Sequence, residues 1–120
     1  MKSILPSIIL SIAITLFLQS TLFSQDSSIV DRRVNSLKTR LSLTDDQTLK
    51  GKEIIERSFL QMQEDREKYQ GDRESMMQVV GERMRATDDS IKVYLTDEQK
   101  KTYEQMIEER KNRRGRFGNQ

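Results

Sequence analysis

The chain has 120 residues, 34% of them hydrophobic and 33% charged, which admits one domain and excludes a large buried core. It holds no cysteine and no histidine, so disulfides, serine- or cysteine-based triads and the common zinc sites are excluded. A balance of 21 basic against 19 acidic residues leaves a net charge of +2, too small for overall charge to select a partner.

The first segment, MKSILPSIILSIAITLFLQSTLFSQ, opens with Lys2, continues as an apolar stretch from Ile4 to Leu18 and ends in small and polar residues. That layout is the one of a secretory signal peptide, here residues 1–24, and it predicts export with cleavage. The stretch is shorter than the roughly 20 residues that span a bilayer, and Pro6, Ser7, Ser11 and Thr15 dilute it. An uncleaved membrane anchor is the competing reading, because Leu22, two residues before Ser24, is not small.

Residues 25–113 read as one helical domain. One proline and five glycines leave few of the breakers that punctuate strands, so the fold class is all-α. Val30, Val34, Leu37 and Leu41 step by four, three and four, lining one face of a helix over 28–41. Leu43 follows, then Thr44 and, three residues on, Gln47. This is a capping box, in which the threonine oxygen accepts from the amide of residue 47 and the glutamine reaches back to the amide of residue 44. Asp45 and Asp46 stand in the first turn, where carboxylates favour the positive end of the helix dipole.

A second helix therefore starts at 45, and Ile55, Met62, Tyr69 and Met76 recur at seven-residue spacing. Arg66 and Arg73 interrupt the companion positions, and the stretch QEDREKYQGDRES, with Tyr69 as its sole apolar residue, reads as largely solvated. Gly71 followed by Asp72 reads as a helix stop and a new cap. The expectation is a second helix over 45–69 and a third over 73–94, with one unbroken helix as the alternative.

LTDDQ at 43–47 is then written again as LTDEQ at 95–99, where Leu95, Thr96 and Gln99 repeat the capping device. Ile54, Ile55 and Glu56 correspond to Met106, Ile107 and Glu108, so both helices place an apolar pair about three turns in. The fourth helix, 97–113, offers only Tyr103, Met106 and Ile107 for burial and cannot stand alone. Stripes this thin favour a homodimer. The end of the chain carries Arg110, Lys111, Arg113, Arg114 and Arg116; residues 114–120 read as a basic disordered tail, suited to touching anionic lipid head groups or acidic partners. Export argues against nucleic acid.

No catalytic residue, cofactor or metal site is expected. The glycines are scattered, with no phosphate-binding loop, and the carboxylate pairs Asp45/Asp46, Asp88/Asp89 and Glu108/Glu109 read as solvated faces. Met76, Met77, Val80 and Met84 share a helical face that suits packing or an adaptable contact surface better than a copper site. Together Met62, Met76, Met77 and Met84 with Arg57, Arg66, Arg73 and Arg83 form the candidate binding surface. It would catch partly folded chains by charge first and by weak apolar contact next.

Two LTxxQ pentamers, each opening a helix behind an export signal, resemble the Spy/CpxP family of periplasmic stress proteins. The closest stretch is SIKVYLTDEQKKTYEQMIEERKNR, 90–113, and LTDDQ with EIIERSFLQMQ downstream is the second. The resemblance implies a four-helix bent hairpin that dimerises antiparallel into a shallow cradle and binds unfolded or misfolded envelope proteins without ATP. Some members instead restrain an envelope stress sensor kinase by docking to it. Others in the wider superfamily bind heavy metals, through histidines that are missing here.

Overall fold

The computed structural model describes residues 27–118, and among them the chain is all-helical, with four helices and no strand. Helix α1 covers 27–41; α2 is Asp45–Lys68, α3 is Arg73–Lys92 and α4 is Asp97–Gly118. The expected signal peptide lies outside the described residues.

Local chemistry sets each break. After α1, Ser42 enters the left-handed region at φ 51°, and the Leu43 N–H turns back to the Lys38 carbonyl at 3.1 Å, closing the helix end. Between α2 and α3, Gly71 adopts φ 86°, a conformation glycine takes without steric cost. Asp72 then accepts from the Ser75 N–H at 3.0 Å, opening α3.

The stripe Val30, Val34, Leu37 and Leu41 is buried, and it meets Leu43, Ile55, Ile91, Leu95 and Tyr103 in one core. Both repeated apolar pairs reach it, since Ile54, Met106 and Ile107 pack against the same cluster that holds Ile55. This core gathers at the N-terminal end of α2 and the C-terminal end of α3. The molecule is elongated, with principal extents of 71 × 38 × 24 Å, and its radius of gyration of 19.7 Å exceeds the roughly 13 Å of a compact 100-residue domain.

Away from the core, α2 and α3 run antiparallel along a polar seam. Ser58 and Thr87 share a buried hydrogen bond of 2.8 Å, and Arg83 Nε donates to Asp65 Oδ2 at 2.8 Å. The stretch 63–75 is largely solvated as expected, with one exception: Asp65 is only 6% exposed, and its carboxylate is tolerated inside because a guanidinium satisfies it. The carboxylate pairs need a correction. Asp88 is buried, accepting from the Tyr103 hydroxyl at 2.7 Å and from Arg110, whereas its neighbour Asp89 is exposed.

Those contacts dock α4. Arg40 of α1 adds a two-pronged bond to Glu109, at 3.1 and 2.9 Å. So anchored, α4 continues to Gly118 through residues expected in a disordered tail. Cations in a last turn complement the helix dipole, and Gly115, ahead of the terminal Gly118, costs only about 1 kcal/mol.

Candidate functional site

Both repeated pentamers form the capping box expected of them, and the boxes meet. Thr44 Oγ1 accepts from the Gln47 N–H at 3.2 Å while Gln47 Oε1 accepts from the Thr44 N–H at 3.0 Å. Thr96 and Gln99 repeat the pattern with the same distances, 3.0 and 3.2 Å. Each glutamine amide then donates to the other, at 2.8 and 3.1 Å. Gln47 Nε2 also donates to the Tyr94 carbonyl and Gln99 Nε2 to the Leu41 carbonyl, both at 3.1 Å. Two donors and two acceptor positions are all an amide side chain has, so both glutamines are saturated. Leu43 and Leu95, one residue before each cap, are buried in the core below the clasp. The capping roles are readable from either pentamer alone; the clasp is signalled only by the pentamer occurring twice.

At the other end of the α2–α3 pair lies a cleft of about 460 Å³, lined by Tyr69, Arg73, Met76, Met77, Val80 and, from α4, Arg114. Met77 is 66% exposed there, and the two arginines, both exposed, have no carboxylate partner among the described residues. Asp72 stands at the rim, but its carboxylate is already taken. The Ser75 hydroxyl at 2.6 Å and the backbone amides behind it hold its pKa below the usual carboxylate value. The walls are therefore apolar and adaptable, with net positive charge at the edge.

The expected binding residues divide between places. Met76, Met77 and Arg73 share that cleft. Met62 and Arg66 line a second one of about 160 Å³, beside Ile29, Arg33 and Phe59. Leu60, 60% exposed, borders an adjoining hollow of about 440 Å³ where α1 crosses α2. Arg57 is held along its own helix by Glu53 at 3.1 Å, and Met84 is half-buried in neither cleft. Arg83 lines neither cleft and is paired with Asp65, which raises the guanidinium pKa and keeps its own carboxyl below the ordinary value. Arg114 entered the cleft unforeseen, because only the continuation of α4 carries it there.

Among the described residues no group of three or more acidic, histidine or cysteine side chains is placed to hold a metal ion, and no helix is long and apolar enough to cross a membrane. No family model, curated protein or solved structure matches the chain.

Proposed function

We propose that the chain is an exported, ATP-independent holdase of the Spy/CpxP type. In this reading it works in the periplasm as a bent helical hairpin, paired antiparallel with a second copy. It binds unfolded or misfolded proteins and limits their aggregation without catalytic residue, cofactor or metal. The observation that carries the reading is the cleft between α3 and α4, where Met76, Met77 and Val80 sit beside the exposed guanidinium groups of Arg73 and Arg114. Thioether side chains re-pack against varied apolar groups, and exposed arginines add charge attraction and long apolar stems. A mixed surface of that kind holds a client loosely enough for folding to continue. The small core supports the same view, since a chain with so little buried apolar surface gains from covering more of it with a partner.

The test is suppression of aggregation, without nucleotide, of several unrelated clients at near-stoichiometric ratio. The expected result is suppression that weakens when Met76 and Met77 are both replaced by glutamine. Failure to protect any client, together with tight binding to one sensor domain, would instead make the chain a regulatory module. Titration with Zn(II) and Cu(I) that releases heat would make it a metal-binding stress protein. Sedimentation should give twice the chain mass.

A further inference from the structure

The last turns of α4 carry positive charge that the fold leaves uncompensated. From residue 110 onward the sequence contains no aspartate or glutamate. Arg110 is engaged by Asp88 and Lys111 by Glu108 at 2.8 Å. Arg113 would find a helical partner four residues back, at Glu109, but Arg40 of α1 already holds both oxygens of that carboxylate. Arg114 and Arg116 have only basic or neutral residues three and four positions before them. Arg113 and Arg116 are three apart, so they project from one face of the helix, and both are exposed. Arg114 turns toward the cleft, where Arg73 and the exposed Met77 adjoin it.

We propose that this end of α4 is a contact site for the anionic lipid surface of a bilayer. Arg113 and Arg116 meet the head-group phosphates, while Arg114, Arg73 and Met77 sit at the boundary with the acyl chains. Charge complementarity names the occupant. Basic side chains beside an exposed apolar one need a partner that is anionic and apolar within a few ångströms, which is what a lipid interface presents and what a phosphodiester backbone lacks. Because Arg73, Arg114 and Met77 also line the client cleft, lipid and client would compete there, and the site does not depend on client binding being correct.

Co-sedimentation of the full chain with phosphatidylcholine vesicles, with and without phosphatidylglycerol, tests this. At low salt the chain should prefer the anionic vesicles, and the double variant R113Q/R116Q should bind them about 30-fold more weakly, at roughly fivefold per lost charge. R113K/R116K should retain binding, and added salt should remove the preference by screening. Binding to pure phosphatidylcholine should be the same for every variant, as should helix content and aggregation suppression, because neither arginine lines the cleft. The proposal is overturned if the wild type shows no anionic preference, if R113Q/R116Q matches the wild type, or if a single-stranded oligonucleotide binds as tightly as the vesicles.

Discussion

Gln47 and Gln99, 52 residues apart in sequence, bond to each other in both directions through their side-chain amides. Each also completes its own helix start, so one side chain serves a local and a long-range bond at once. Replacing either by alanine should lower stability by about 1–3 kcal/mol, because it leaves the other half-buried amide one donor and one acceptor short. The double variant should cost less than the two single costs added together. Urea unfolding followed by circular dichroism measures all three, and strict additivity would show that the clasp is not a unit.

Gly51 and Tyr94 make a second checkable pair. A Cβ at residue 51 would lie 2.7 Å from the Tyr94 hydroxyl oxygen, a buried atom with no hydrogen-bond partner. Burial also raises the pKa of this phenol. In an open helix Gly51→Ala would stabilise by roughly 0.5–1 kcal/mol; here it should destabilise, by about 1–3 kcal/mol of overpacking. Tyr94→Phe removes both the obstacle and the unpaired hydroxyl. The combined variant should therefore be at least as stable as the wild type in thermal melts, and a combined variant weaker than Gly51→Ala alone would contradict the contact.

Tyr103 should report on alkaline stability. Burial first, and the bond to Asp88 second, push its pKa above the ordinary 10.0. The folded state thus favours the neutral phenol. Its contribution is complete below about pH 10 and is lost as pH rises through the ordinary value toward the raised one. Tyr103→Phe should cost about 1–3 kcal/mol at neutral pH by leaving Asp88 one donor short. Its alkaline unfolding limb should be flatter than the wild type's.

Asp65 contributes to the acid limb. The hydrogen bond from Arg83 is the largest influence, holding its carboxyl below the ordinary 3.8. The stabilisation is therefore present above about pH 4 and disappears as pH falls through the lowered value. Asp65→Asn should flatten stability against pH in that window. Arg83→Met alone should be worse than Arg83→Met combined with Asp65→Leu, since the single change leaves a carboxylate buried without its partner.

The features that were legible in the sequence are those whose causes lie within a few residues. Thr44 and Thr96 cap because their glutamines stand three positions on, and the stop at Gly71 needs only Asp72 behind it. The α1 stripe was readable from spacing alone. Asp65 and Asp88 were not, because their partners are remote: Arg83 lies 18 residues from the first and Arg110 lies 22 from the second. Both acids look like surface charge until the helices are packed. In α2, Asp65 continues the inward row of Ile55, Ser58 and Met62 at helical spacing, so a polar residue sits where a search for apolar periodicity sees a gap. The length of α4 was missed for a related reason. A run of arginines reads as a frayed end, and only Asp88 and Glu109 on the docked side show that the helix is held.

The position of the clasp sets the mechanics of the molecule. With the apolar cluster gathered beside the paired glutamines, α2 and α3 project from it like the arms of a lever, α2 being about 36 Å long at 1.5 Å per residue. A tilt of only about 5° at the fulcrum would move the Gly71 tip by roughly 3 Å over that length. Such a tilt would change the width of the cleft at Met76 and Met77 without any helix unwinding, so residues at the clasp would set the geometry of a surface roughly 30 Å away.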